Sequence, residues 1–420
     1  MQRIYTHTPT IIMDYQIETL PSGLRLLLFP STSQVIYCGI VVAAGTRHEL
    51  PGEEGLAHFC EHLAFKGTRR RTAVQIINAL EGVGGELNAY TTKEYTLYYA
   101  TVTRDQLSRA LDVLTDIVFQ SQYPQQEVEK EQEVVCDEIE SYEDSPSDLI
   151  FDDFENILFA GHPLGHNILG TADQVRSYRQ EDAQRFASRY YRPDHCVLFV
   201  SGQIGMKQLT SIVGERLSSS AGETTEQSTC PNFKNDLSPA PIIRLRGTHQ
   251  AHVMLGTRTF PDSDPRRWTL FLLNNILGGP GMNSRLNLSL RERRALVYTI
   301  ESQMVCYSDT GLWSVYFGCD PADVKRCLRL VRSELDRLRR HPLTITQLRN
   351  AKRQLRGQLI IGTENREQFV LDCAKNCLHL GRPLSLEEVL DHVEAVTPDA
   401  VQRLADELFQ PERLITLIYR

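Results

Sequence analysis

The sequence predicts an α+β protein of two similar domains, each with a mainly antiparallel sheet and helices packed on one side. Three observations point to this class. The 420 residues exceed what one hydrophobic core usually serves, since cores stop growing at roughly 250 to 300 residues. A polar, turn-rich segment at 218–241 divides the chain near its middle. The two halves also repeat each other at one offset.

The repeat is visible in two segments that share nearly the same offset. At an offset of 217, Tyr99 corresponds to Tyr316, and the apolar positions that follow each tyrosine also coincide. At an offset of 218, residues 186–200 overlay residues 404–418. Each copy has the pattern of a helix that stops before a proline and is followed by a β-branched strand. This agreement predicts an internal duplication.

The duplication sets the predicted domain boundaries. We expect an N-terminal domain at 1–217, a linker at 218–241 and a C-terminal domain at 242–420. Apolar, β-branched runs predict strands at 35–44, 96–102, 242–245 and 251–255. Helical periodicity predicts helices at 56–66, 105–119, 125–142, 182–191, 268–277, 322–339 and 346–359.

Composition narrows the classes of function. The chain is 41% hydrophobic and 23% charged, with a formal net charge of -8, which is ordinary for a folded protein and argues against disorder. Lysine and arginine are scattered apart from the cluster 69–71, so no nucleic-acid partner is expected.

The ten cysteines show no CxxC pairing and are interpreted as reduced thiols. Residues 1–14 lack the pattern of a leader, and no apolar run approaches the ~20 residues of a membrane span. These features predict a cytoplasmic protein without a membrane segment.

The strongest chemical signal is the motif His-Phe-Cys-Glu-His at 58–62. Side chains four positions apart share one face of a helix, so His58 and His62 could hold one zinc ion between them. Catalytic zinc needs a third protein ligand and an open position for water, whose pKa it lowers. Glu61, beside the ligands, could accept a proton from that water. The alternative interpretation is two exposed histidines beside a glutamate on a helix surface.

The predicted helix at 125–142 is rich in carboxylates, most of which are expected to form a solvated face. Glu131 and Glu138 are seven positions apart and share a face with Val134 and Val135, which predicts that this face is partly buried. Buried carboxylates need partners. A zinc ion for one and the free N–H of a ligand histidine for the other would provide them.

Together these motifs resemble the pitrilysin-type zinc metallopeptidases, or inverzincins. In that family the third zinc ligand is a glutamate some 76 residues after the second histidine, and Glu138 follows His62 by 76 positions. The resemblance therefore implies that His58, His62 and Glu138 bind zinc and that Glu61 is the general base. It also implies that Glu131 orients a ligand histidine.

The resemblance extends to residues outside the zinc motif. Residues 84–100 are similar to a family strand that binds the substrate backbone by strand addition, which implies this role for Asn88 and Ala89. For Asn88, the alternative is a turn or strand-edge asparagine.

In the second half, Arg291 and Tyr298 match a pair that reaches the substrate and the tetrahedral intermediate in the family. Both side chains can donate to a developing oxyanion. From the residues alone, Arg291 would be a solvated helix residue. Two positions depart from the family pattern: Ala295, where glycine is usual, and Cys60, where an aliphatic residue is more usual.

The resemblance implies a zinc-dependent endopeptidase for peptides or unfolded segments. At this length the chain is most similar to the two-domain members of the family, such as bacterial peptidases and the subunits of mitochondrial processing peptidase. These members form dimers that enclose a chamber. A homodimer is the simplest expectation, and a heterologous partner chain stays open. The corresponding helix of the second half, Leu272–Gly279, has asparagines in place of ligands, so one zinc per chain is expected. The alternatives are a noncatalytic scaffold subunit of the same fold and a zinc enzyme for small amides.

Overall fold

The structure is a computed structural model that describes residues 15–217 and 240–420. The proposed linker at 218–241 lies outside the described residues except for its last two positions. The N-terminal segment 1–14 and Cys230 also lie outside them. The domain boundaries at 217 and 242 therefore stay a prediction.

The first half is built on a six-stranded sheet with the order β1-β2-β6-β3-β5-β4. Its strands are β1 Gln16–Thr19, β2 Arg25–Pro30, β3 Val35–Val42, β4 Glu86–Thr91, β5 Thr96–Thr103 and β6 Cys196–Gly202. Neighbouring strands are antiparallel except β2 and β6, which are parallel. Its helices are α1 Leu56–Ala64, α2 Ala73–Glu81, α3 Leu107–Phe119, α4 Gln125–Glu143, α5 Pro146–Leu158, α6 Ala172–Ser177, α7 Gln180–Tyr190 and α8 Met206–Gly214.

The second half has a five-stranded sheet with the order β7-β11-β8-β10-β9. Its strands are β7 Ile242–Arg244, β8 Ala251–Thr259, β9 Val297–Cys306, β10 Gly311–Cys319 and β11 Ile415–Tyr419. The parallel pair is β7 with β11, and the others are antiparallel. Its helices are α9 Arg267–Gly278, α10 Val324–Arg340, α11 Ile345–Gly362, α12 Arg366–Leu380, α13 Leu386–Ala395 and α14 Pro398–Leu408, with a π-helical turn at Asn287–Glu292.

The predicted fold class is confirmed, and the two halves share one topology. Replacing β2, β6, β3, β5 and β4 by β7, β11, β8, β10 and β9 converts one strand order into the other. Helices α3 and α10 begin 217 positions apart, and α7 and α14 begin 218 apart. These are the offsets of the sequence repeat, so the duplication holds at the level of structure.

Each sheet carries most of its own helices on one face and one helix of the other half on the opposite face. Leu26 and Leu28 point into the core formed with α1 and α3, whereas Leu27 and Phe29 point the other way because side chains alternate along a strand. That outer face packs against α12 of the second half through Val370, among others. In the same way, α5 of the first half covers the outer face of the second sheet. Each half therefore contributes one helix to the outer face of the other half's sheet.

A second contact between the halves is made by the tip of the β9–β10 hairpin. Arg47 forms an ion pair with Asp309 at 2.7 Å and another with the buried carboxylate of Glu94. The backbone N–H and the hydroxyl of Ser308 donate to Glu94 at 3.0 and 2.7 Å. The turn between β4 and β5 is thereby tied to the second half.

Within the two described ranges, none of the helices has the length and apolar character needed to cross a membrane.

Candidate metal centre

Helix α1 presents the two histidines of the motif together. One helical turn separates His58 from His62, and their ring centroids lie 4.6 Å apart. Leu56, Phe59 and Leu63 are fully buried on the other side of the helix. The helix is therefore fixed in the core by its apolar face, as predicted, while the histidines turn toward α4.

Glu138 of α4 completes a group of three possible ligands. Its Oε2 lies 3.8 Å from Nε2 of His58 and 3.4 Å from Nε2 of His62, and the three ligand atoms lie within 4.8 Å of one another. Zinc bonds of about 2.0 to 2.1 Å at tetrahedral angles hold neighbouring ligand atoms roughly 3.3 Å apart. The separations and the two-nitrogen, one-oxygen donor set therefore fit zinc. Among the described residues, no other cluster of three such ligands is found.

Glu131 lies two helical turns before Glu138 on α4 and contacts the second ring nitrogen of His62. Its Oε2 is 3.2 Å from Nδ1 of His62, and its Oε1 is 2.6 Å from the ammonium of Lys66. Burial opposes ionisation of Glu131, but the hydrogen bonds from His62 and Lys66 lower its pKa. A carboxylate there fixes the proton of neutral His62 on Nδ1, which leaves Nε2 free to bind a metal.

The face of α4 that carries these carboxylates is buried on one side only. Glu131 is buried, whereas the side chain of Glu138 is 45% exposed. Val135 is buried, but Val134, also expected on a partly buried face, is 48% exposed. Helix α4 therefore lies at the edge of the site, and the side of the site near Glu138 is open to solvent.

The surrounding protein groups shift the pKa values of all three possible ligands. Burial, reinforced by the neighbouring charge of His62, lowers the pKa of His58. Burial also disfavours the charged form of His62, but its hydrogen bonds to Glu131 and Glu138 outweigh this and raise its pKa to about 9. The hydrogen bond from His62 lowers the pKa of Glu138. A site with this many carboxylates around one imidazolium suits a divalent cation that replaces the proton.

Glu61 is enclosed rather than exposed. It is 8% exposed, and its Oε2 accepts a hydrogen bond of 2.6 Å from the hydroxyl of Thr91 at the end of β4. Burial raises the pKa of Glu61 above its usual value, and the bond from Thr91 partly offsets this. A buried carboxylate held by one donor keeps its second oxygen available for a proton.

His58 differs from His62 in its support. Its Nδ1 is buried and has no hydrogen-bond partner within residues 15–217 and 240–420. A ligand histidine usually donates from its second nitrogen. Within the described part of the chain, His62 is oriented by such a bond to Glu131 and His58 is not.

Asn88 and Ala89 lie on β4, which is the edge strand of the first sheet. They pair with Tyr99 and Tyr98 of β5, so the other side of β4 has no neighbouring strand among the described residues. Strand β4 also packs beside α1. An open strand edge therefore runs next to the metal centre.

Arg291 and Tyr298 lie in the second half of the chain. Arg291 is in the π-helical turn, and Tyr298 is the second residue of β9, where it is 80% exposed. Both line an open groove of about 390 Å³. Within the described residues, neither side chain bonds to the metal centre of its own chain. Ala295, between them, has a positive φ of 49°, the conformation that favours glycine.

Two residues of the site were not predicted from the sequence. Lys66 is four positions after His62, so helical spacing could have placed it beside Glu131. Thr91 is 30 positions after Glu61, and no spacing rule joins the two. Their contact depends on β4 lying next to α1, which only the folded chain reveals.

A buried helix with the order His-x-x-Glu-His facing a glutamate of a second helix defines a zinc centre of the inverted-motif class. Residues 27–172 match the family model described as Insulinase (Peptidase family M16). Residues 177–355 match the model described as Peptidase M16 inactive domain. The chain belongs to peptidase family M16. The first range contains the metal centre, and the second contains Arg291 and Tyr298.

Similar proteins occur in several bacteria. An uncharacterized zinc protease of Streptomyces coelicolor is 36% identical, over 92% of this chain and 85% of its own. One of Bacillus subtilis is 33% identical, over 95% of this chain and 97% of its own. The predicted family and the zinc cofactor are thereby confirmed.

Solved structures share the fold over nearly the whole chain. The crystal structure of a protease from Helicobacter pylori has a TM-score of 0.89 at 21% identity and covers 97% of this chain and 100% of its own. A peptidase M16 inactive domain from Pseudomonas fluorescens has a TM-score of 0.85 at 19% identity and covers 97% of this chain and 98% of its own.

Proposed function

We propose that this protein is a zinc-dependent endopeptidase that hydrolyses peptide bonds in peptides or unfolded segments. The observation that carries the proposal is the convergence of His58, His62 and Glu138 on one point, with the buried carboxylate of Glu61 beside them. The names of the similar bacterial proteins support the same class of activity.

The protein side of the chemistry begins with ligand orientation. His58, His62 and Glu138 would hold zinc, which when bound polarises the substrate carbonyl and makes a water molecule more acidic. Glu131 accepts a hydrogen bond from Nδ1–H of His62 and so directs the lone pair of Nε2 into the site. Lys66 compensates the charge of Glu131.

Glu61 is the proposed general base. Its raised pKa brings the carboxylate nearer to the proton affinity needed to take a proton from water and to return it to the leaving amine. Thr91 holds one oxygen of Glu61, which leaves the other for this transfer.

The edge of β4 is the proposed substrate platform. An extended peptide added beside Asn88 and Ala89 would form main-chain hydrogen bonds with the strand, independent of its side chains. Such binding suits unfolded segments and peptides better than small amides, because it needs several consecutive backbone groups.

Arg291 and Tyr298 are the proposed donors to the oxyanion of the tetrahedral intermediate. They make no bond to the metal centre of their own chain within the described residues, which fits a homodimer in which each subunit completes the site of the other. A heterologous partner chain with the same pair would serve equally.

The test combines zinc content with cleavage of a quenched fluorescent peptide, for the native chain and for Glu61→Gln. We expect about one zinc per chain in both and loss of cleavage by several orders of magnitude in the variant, because glutamine cannot accept the proton.

Cleavage that survives in zinc-loaded Glu61→Gln would reject Glu61 as the base. A native chain that binds zinc but cleaves nothing, at concentrations where it is a dimer, would favour the noncatalytic scaffold. A native chain without zinc would reject the site.

A further inference from the structure

The second half carries a concentration of positive charge that is independent of the metal centre. Residues 325–356 contain eleven lysines and arginines and two carboxylates, although the whole chain has a net charge of -8. The sequence-based expectation of scattered cations is therefore wrong for this region. Helical periodicity then brings several of these cations onto one face of α10.

The cations of α10 follow a single helical stripe. Lys325, Arg329, Arg332 and Arg340 are spaced by four, three and eight positions, which places them on one side of the helix. All four are exposed. The opposite side of α10 is apolar and buried, with Val324, Cys327, Val331, Leu335 and Leu338 among its residues. The orientation of the stripe is therefore fixed by the core.

This stripe lines a concave surface rather than a flat one. Lys325, Arg329, Arg332, Arg337 and Arg340, together with Pro241, border an open groove of about 690 Å³. We call this the basic groove. Its one lining carboxylate, Asp336, is already paired with Arg339 at 2.8 Å.

Most of the positive charge of the basic groove is not compensated by the described residues. Within 15–217 and 240–420, no carboxylate lies within ion-pair distance of Lys325, Arg329 or Arg340. Like charges three and four positions apart destabilise a helix. An anion bound across them would relieve this repulsion.

The lining also limits the chemistry of the ligand. Guanidinium and ammonium groups donate hydrogen bonds and accept none, so a matching ligand should present acceptors almost everywhere. A peptide would bring N–H groups with few acceptors to meet them. A nucleic-acid strand would bring bases, which bind by stacking on successive aromatic rings. Among the described residues, no phenylalanine, tyrosine or tryptophan lines the groove, and its one aromatic ring is the imidazole of His341.

We propose that the basic groove is a binding site for a phosphate chain. A chain of phosphates carries several negative charges over a short length and has only acceptor oxygens, which arginine binds in a bidentate manner. The chain can be inorganic polyphosphate or the phosphate tail of a nucleotide. This site is separate from the peptidase proposal and does not depend on it.

The experiment measures binding of inorganic tripolyphosphate to the full chain by titration calorimetry. The test variant is Arg329→Gln with Arg332→Gln. The matched control is Arg349→Gln with Arg353→Gln, which removes the same charge from exposed positions of α11 outside the groove. We expect the test variant to weaken binding at least tenfold and the control to change it less than twofold. Thermal melting of both variants checks that the fold is kept.

The site is overturned if the native chain does not bind tripolyphosphate, or if both variants weaken binding equally, because the attraction would then be general. It is also overturned if hexaglutamate binds as tightly as tripolyphosphate. ATP that binds as tightly as tripolyphosphate supports the site and identifies nucleotide tails as a source, whereas much weaker ATP binding supports it with the inorganic chain. If the test variant does not fold, Lys325→Gln with Arg340→Gln probes the two ends of the same groove.

Discussion

At the scale of single residues, Ala295 is held in a conformation that its Cβ disfavours. Its φ is 49°, and its N–H donates to the backbone carbonyl oxygen of Arg291 at 2.8 Å. The family pattern has glycine here, and the structure explains why. We predict that Ala295→Gly raises the free energy of unfolding by about 0.5 to 1 kcal/mol, measured as a shift of the urea midpoint.

The control for this change is Ala351→Gly inside α11, where φ is helical. There the same substitution should lower the free energy of unfolding by about 1 kcal/mol. If Ala295→Gly lowers stability as Ala351→Gly does, the positive φ at Ala295 does not carry the strain described.

Glu131 gives a second prediction at this scale. Removing its charge weakens the bond that orients His62, so Glu131→Gln should lower zinc affinity about 10- to 100-fold, measured by competition with a chelator. Glu133→Gln, an exposed neighbour on α4, should leave affinity unchanged. Equal effects of the two variants would mean that only the net charge of α4 matters.

How far the site can be predicted depends on whether spacing along one element determines the contact. His58, Glu61 and His62 lie on one helix, and Glu131 and Glu138 on another, so periodicity alone places each set. The approach of the two helices was implied by family resemblance and not by any spacing rule. Neither periodicity nor the family resemblance predicted the contact of the Thr91 hydroxyl with Glu61. Thr91 lies on a strand, and no sequence rule relates the position of that strand to α1.

At the scale of elements, helices with regular apolar faces were predicted to within a few residues. The predicted helix at 125–142 is observed at Gln125–Glu143, and that at 346–359 at Ile345–Gly362. The predicted helix at 56–66 ends earlier, at Ala64. Helix α5 was not predicted. For α5 and α12 alike, the sequence pattern does not indicate which of the two similar sheets the helix will cover.

The packing of α12 on the first sheet gives a prediction. Val370 is fully buried against that sheet, so Val370→Ala should lower the free energy of unfolding by about 2 kcal/mol through the cavity it leaves. Val74→Ala on α2, where the side chain is 66% exposed, should change it by less than about 0.5 kcal/mol. Denaturant unfolding measures both. A small loss for Val370→Ala would argue against the docking of α12.

At the scale of the whole molecule, the exchanged helices and the hairpin tip join the halves into one unit. Both tryptophans, Trp268 and Trp313, lie in the second half, so their fluorescence reports that half, whereas far-ultraviolet circular dichroism reports both. We predict that the two unfolding curves coincide.

We further expect Glu94→Gln to lower the free energy of unfolding by about 2 kcal/mol, because the variant loses the charge that pairs with Arg47. The fluorescence and circular dichroism curves should shift together. Glu86→Gln, on the exposed side of β4, should move neither. Two separate transitions in the native protein would contradict the coupling of the halves.

The exchange of α5 and α12 also affects how the chain can be made. Synthesis completes the first sheet when β6 emerges, but its outer face stays uncovered until residues 366–380 have followed. At ~5 to 20 residues per second, this interval is roughly 9 to 36 s. During that time the nascent chain exposes Leu27, Phe29 and their apolar neighbours, so the ribosome-bound intermediate should be a substrate for chaperones until α12 has been translated.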